Sequence, residues 1–130
     1  MKPFKVKKIV KKIFKKHKLK DIHARISAEY LVKAELFGAP SHGLARLSMY
    51  CERLKKKIIN PMPKIKIKKI SQSISHIDAN NSIGFVVADM GIKIAIKSAK
   101  KTGIGLVAIK NSGHYGLSSF YAEQAVKKNL

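Results

Sequence analysis

The chain has 130 residues, 45% hydrophobic and 27% charged, with a formal net charge of +21. That length holds one domain with a real core and is too short for two ordinary ones, and the apolar fraction is too high for a disordered chain. The single cysteine, Cys51, excludes an intrachain disulfide and a cysteine-based zinc site, and no apolar run approaches the ~20 residues that a spanning helix needs.

The positive charge invites a nucleic-acid or anionic-membrane reading. Yet only three basic residues are arginines, Arg25, Arg46 and Arg53, and the lysines are scattered from Lys2 to Lys128. Base and phosphate recognition favours the bidentate guanidinium. An excess of lysine together with isoleucine is the signature of A+T-rich coding sequence. Weak, salt-sensitive polyanion binding is therefore expected, with no specific nucleic-acid partner and no membrane. The first residues lack the apolar core of a secretory signal, so a cytoplasmic location is expected.

In chain order, Val6, Ile9, Val10, Ile13, Phe14 and His17 recur at helical spacing and predict an amphipathic helix over residues 4–18 with a lysine-covered outer face. Asp21 is the expected N-cap of a second helix reaching about Phe37, ended by Gly38-Ala39-Pro40. Ser41 opens a third, with Leu44, Leu47, Cys51 and Leu54 as its apolar stripe; Cys51 is read there as a packing residue. Asn60-Pro61-Met62-Pro63 breaks the chain. Beyond it the period changes. Ile65 and Ile67 alternate with lysines, as in an edge strand guarded by charge, and residues 74–78 are expected to pair with it as a hairpin. A helix follows over residues 83–101, with Val87, Met90, Ile94 and Ala95 inward and Gly103 as its C-cap. Residues 105–109 read as a buried strand, 111–116 as a turn and 117–128 as a helix. The expected fold class is α/β (mixed α+β): N-terminal helices, then strand-strand-helix-strand-helix. Residues 1–60 form a helical segment with one histidine motif and 61–130 a partial α/β segment with another, together one truncated domain.

Two histidines stand apart. His42 lies in Pro40-Ser41-His42-Gly43 at an expected helix start, where backbone N–H groups attract anions. On a helix, Arg46 and then Tyr50 follow at four-residue steps on the same face. Ser41, His42, Arg46 and Tyr50 would combine donors, a titratable imidazole and a fixed cation, a set suited to a small carboxylate with an oxygen to protonate or deprotonate. His114 sits in a glycine-bracketed turn after a strand, where ligands collect in α/β proteins. A turn histidine bonded to local backbone is the blander alternative.

The run Ser41-His42-Gly43-Leu44-Ala45-Arg46-Leu47, continuing through Tyr50, Arg53-Leu54 and Ile59-Asn60-Pro61, resembles the signature of the malate/L-lactate dehydrogenase family of non-Rossmann oxidoreductases. A second block, residues 88–95, 103–109 and Asn111-Ser112-Gly113-His114-Tyr115-Gly116, is similar to that family's helix, strand and histidine-bearing turn. The resemblance implies hydride transfer between NAD or NADP and C2 of a small 2-oxo or 2-hydroxy acid. It makes His42 and His114 the candidate proton donor and acceptor, without dividing the labour. Ser41 and Arg46 become substrate holders, Tyr50 a weaker one, and a homodimer the expected assembly.

The resemblance covers only the opening section of family chains, so this chain is expected to be an N-terminal portion, inactive alone, with most cofactor contacts absent and no metal. The family's acidic residue before Leu36 is present as Glu35, while Phe37 replaces a common basic residue. Gly103-Ile104-Gly105 is only a fragment of a dinucleotide-binding glycine run. The alternatives are a non-catalytic remnant of such a gene and a basic module binding nucleic acid or an anionic surface.

Overall fold

The computed structural model describes residues 2–130. Its elements run α1 (Pro3–Lys16), α2 (Asp21–Leu36), two 3-10 turns (Pro40–His42 and Leu44–Arg46) and α3 (Leu47–Lys55). Then follow β1 (Lys66–Lys69), β2 (Ile74–Ser82), α4 (Gly84–Thr102), β3 (Leu106–Ser112) and α5 (Ser119–Val126). The chain divides into two compact units, one ending at Met62 and the other comprising Pro63–Leu130.

In the first unit α1 buries Val10 and Phe14, while Ile9 of the expected stripe faces outward. Pro3 occupies the first turn, where its missing N–H costs nothing. Asp21 is the first helical residue of α2 rather than its N-cap, and its side chain caps nothing. Its carboxylate instead bridges Lys11 at 2.8 Å and Lys15 at 2.9 Å. These bonds, Lys11 first, hold the Asp21 carboxyl below its ordinary pKa. They also offset the like-charge repulsion of two lysines one helical turn apart.

α2 buries His23 together with Ala24, Ser27, Ala28, Leu31 and Val32. The His23 Nδ1 atom is buried without a hydrogen-bond partner. Burial, aided by the nearby Lys20 charge, lowers the pKa of this ring below its usual value. A folded-state histidine pKa below the unfolded one means that the unfolded chain binds the proton first as pH falls. Stability contributed by neutral His23 is therefore complete well above pH ~6.5 and declines as pH drops through that value. Thermal melts at pH 7.5 and 5.5 should show a drop at the lower pH that His23→Leu diminishes. An identical drop in the variant would contradict this assignment.

The second unit is a three-stranded sheet in the order β1-β2-β3, with β1 antiparallel and β3 parallel to β2. The expected hairpin is present, Ile67 facing Ile77 and Lys69 facing Ser75. β1 is exposed along its length. Its lysines keep that edge from pairing with other chains. β2 alternates, turning Ser75, Ile77 and Ala79 inward. Ile77, Ala79 and Val87 form the buried cluster, with Ile65, Met90, Ile94, Val107 and Ile109 packed on it. Gly103 ends α4 in the left-handed region at φ 80°, a conformation that glycine adopts without penalty.

β3 departs from expectation. It is half exposed rather than buried, with Val107 and Ile109 half-buried but Leu106 51% exposed and Ala108 and Lys110 outward. The cause is that α4 covers one face of the sheet and β3 pairs only with β2. No helix among the described residues is long and apolar enough to cross a membrane.

Candidate active-site segments

The first segment spans residues 40–46. An α-helix across it is expected from sequence, but the backbone makes two 3-10 turns separated by Gly43 in an extended conformation (φ −96°, ψ −136°). His42 and Arg46 are thus not one α-helical turn apart. The cation arrives by another route: Arg46 Nε donates to the Ser41 carbonyl at 2.7 Å, and the Ser41 hydroxyl lies 3.1 Å from His42 Nδ1. Ser41 is therefore held from both sides, and the imidazole and guanidinium share one short loop. The Arg46 Nη groups make no hydrogen bond among the described residues.

Glu35, near the C-terminal end of α2, anchors this loop by accepting the Leu44 N–H at Oε2, 3.1 Å away. A Cβ at Gly43 would lie 2.5 Å from that same oxygen, displacing the Glu35 carboxylate from its bond to Leu44, and would sit tightly against α2 backbone, 3.1 Å from the Glu35 nitrogen and 3.3 Å from the Leu31 carbonyl. Glu35→Ala should destabilise the first unit by about 1 kcal/mol, the usual worth of a net hydrogen bond, and speed amide exchange at Leu44. Unchanged Leu44 exchange would mean that the loop is held by other contacts.

Tyr50 follows on α3, close enough for the Arg46 charge to act on it. It is buried, with its ring edge-on to Phe14 at 6.4 Å. Burial pushes its hydroxyl far above the usual tyrosine range, against the opposing pull of Arg46 and Arg53. Cys51 is half-buried one residue on. Burial raises its thiol pKa too, outweighing Lys55, which disfavours the reactive thiolate.

His114 belongs to the second unit, in the turn after β3. The turn is seated on the start of α4, where a Cβ at Gly84 would overlap the His114 carbonyl oxygen and come within 2.5 Å of the Gly113 oxygen. Gly116 adopts φ +81°, and a Cβ there would lie 2.8 Å from the Phe85 ring. The Tyr121 hydroxyl of α5 donates to the Tyr115 carbonyl, and the two tyrosine rings lie 5.7 Å apart. An apolar cleft of about 480 Å³ opens beside the turn, lined by Val87, Gly91 and Ala95 of α4, Val107 and Ile109 of β3, and Tyr115.

Residues 1–130 match the family described as malate/L-lactate dehydrogenase. The chain belongs to that family. Relatives within it include the L-sulfolactate dehydrogenase of Methanocaldococcus jannaschii, 38% identical over all 130 residues and matched over 38% of its own length. The ureidoglycolate dehydrogenase (NAD(+)) of Escherichia coli O157:H7 is 37% identical over 86% of this chain and 32% of its own. Among solved structures, the M. jannaschii enzyme superposes with a TM-score of 0.95 over 99% of this chain and 38% of that one. Malate dehydrogenase of Pyrococcus horikoshii superposes at 0.92, with 35% identity, over 97% of this chain and 36% of that one. The chain thus spans well under half the length of these family members.

The glycine fragment that resembles part of a dinucleotide-binding run is taken up by the fold. Of the glycines in the Gly103-Ile104-Gly105 fragment, the first caps α4. The second is packed against the Ala95 backbone, where a Cβ would overlap the carbonyl oxygen. Both serve the fold. Nor does any group of three or more potential ligand side chains among the described residues form a metal site.

Proposed function

We propose that this chain supplies the acid-holding and proton-moving side of an NAD(P)-dependent oxidoreductase acting at C2 of a small 2-hydroxy or 2-oxo acid. The observation that carries the reading is the loop in which Ser41 links the His42 imidazole to the Arg46 guanidinium. A guanidinium pinned through Nε offers its remaining nitrogens as a fixed partner for a carboxylate. Oxidation of a 2-hydroxy acid releases the hydroxyl proton, and reduction of the 2-oxo acid takes one up. An imidazole performs either task near neutral pH, so His42 and His114 are the proton donor and acceptor. Tyr50, from inside the core, supports Arg46 and the substrate-holding loop rather than touching the acid. The family relatives' names, sulfolactate, malate and ureidoglycolate dehydrogenase, support a small acid as substrate. NAD or NADP is the hydride partner in this reading, with most of its contacts expected from the part of the family enzyme that this chain does not match. The complete enzyme is taken to be a cytoplasmic homodimer.

The test is a chimera in which these 130 residues replace the matching 38% of the M. jannaschii enzyme. It should oxidise malate, lactate or sulfolactate with NAD or NADP, whereas the 130-residue chain alone should not. A folded chimera inert toward all three acids with both nucleotides would contradict the proposal.

A further inference from the structure

The outward face of the sheet carries a clamp that ties the first residue of the second histidine motif, Asn111, to a carboxylate outside both motifs, Asp78. β2 and β3 are in register from Ile74↔Leu106 to Asp78↔Lys110, but the next pair is Ser82↔Ser112. β2 thus uses four steps where β3 uses two, and the surplus is taken up at Asn80 and Asn81, both at positive φ (49° and 56°). Opposite them Asn111 is also left-handed at φ 53°, a region in which asparagine is tolerated best after glycine.

The Asp78 carboxylate closes this irregularity. Its Oδ1 accepts from the Asn111 side-chain amide at 3.0 Å and from the Asn80 backbone N–H at 3.1 Å. Lys110 stands 3.6 Å from Oδ2. The Asn111 bond is the foremost cause of a carboxyl held below its ordinary pKa, and the ionised carboxylate is the stronger acceptor for that bond. Asn111 lies at this irregularity, one residue before β3 ends at Ser112 and three residues before His114.

We infer that Asp78 is a positioning residue: through Asn111 it fixes the direction in which the chain leaves β3 and so the placement of the His114 turn. The inference rests on the proposed role of His114. It adds a carboxylate that acts at one remove from the acid, outside both motifs. A bond spanning 33 residues couples the middle of β2 to the end of β3, so a loosened Asn111 lets the His114 ring reorient within a turn that α4 still seats from the other side.

The test compares Asp78→Ala, Asp78→Asn and Asn111→Gly in the 130-residue chain by NMR, following the His114 ring carbons and the amides of α4. Asp78→Ala should shift and broaden the His114 ring signals while the α4 amides stay put. Asp78→Asn, which keeps an acceptor at Oδ1, should restore them. Asn111→Gly deletes the partner yet suits the left-handed backbone, so it carries the test should Asp78→Ala fail to fold. In the chimera, Asp78→Ala and Asn111→Gly should each lower kcat by about 10–100-fold, the range expected of a small misplacement, with no further loss when combined. His114 ring signals and kcat unchanged in both variants would overturn the inference, even where His114→Ala abolishes turnover. Full turnover by His114→Ala would instead overturn the role given to His114, leaving the NMR comparison to judge the clamp.

Discussion

His114→Ala in the chimera should lower kcat by about 10²–10⁴-fold, the range that a positioned general acid or base contributes, and His42→Ala should fall in the same range. The loss should appear in kcat and in kcat/KM alike, because a proton in flight belongs to the transition state rather than to the bound acid. Arg46→Ala should behave differently and raise KM as well, since a guanidinium gripping a carboxylate acts before and during the reaction. Near-wild-type turnover in both single variants would remove the acid–base assignment.

The second large effect is on the fold. Gly84→Ala places a methyl group against three backbone atoms of the His114 turn, the His114 carbonyl carbon among them at 2.6 Å. Backbone cannot rotate aside as a side chain does, so either the start of α4 or the turn must move. Overpacking of this kind costs about 1–3 kcal/mol, and each kcal/mol lowers the melting midpoint of a small unit by roughly 4–8 °C. Gly91→Ala is the comparison. It sits one or two turns further along α4, and the atom it would meet first, at 2.9 Å, is Cδ1 of Ile109. The end of that side chain can give way, so Gly91→Ala should cost less. Equal melting of Gly84→Ala and wild type would show that the turn is not seated on α4 as described.

The elements that were legible in the sequence are those with a strong period or a hard stop. α1 and α4 follow from apolar spacing, the end of α4 from Gly103, and the extent of α2 from Asp21 at its start and the Gly38-Ala39-Pro40 stop, although Asp21 is the first helical residue rather than the cap. The β1–β2 hairpin follows from alternation after Asn60-Pro61-Met62-Pro63. The loop around His42 was misread because Leu44 and Leu47 fit a helical stripe, while Pro40 at a 3-10 start and the extended Gly43 follow from local backbone geometry that a stripe does not register. The exposure of β3 was missed for a related reason. A run of apolar residues says that a strand wants cover, not which face receives it.

Of the expected site, the motif showed that Ser41, His42 and Arg46 belong together, while the manner of their meeting, through Ser41, came from the fold. Tyr50 lies on α3 with its ring against Phe14, while His42 lies in the 3-10 turn before it rather than on the same α-helix. The supporting carboxylates were beyond reach for a different reason. Glu35 bonds nine residues ahead and Asp78 thirty-three, and contacts of that span leave no trace in hydrophobic periodicity. Glu35 carried one signal, its match to the family's acidic position; Asp78 carried none.

The acid-holding role rests first on the loop in which Ser41 joins His42 to Arg46. The chimera should be labelled with ¹³C-histidine and loaded with nucleotide. Oxalate, a stable planar mimic of a 2-oxo acid, should then shift the His42 ring signals along a saturation curve, and Arg46→Ala should weaken that response. His42 signals that stay put at saturating oxalate, or that respond equally well in Arg46→Ala, would contradict an acid-holding role for this loop.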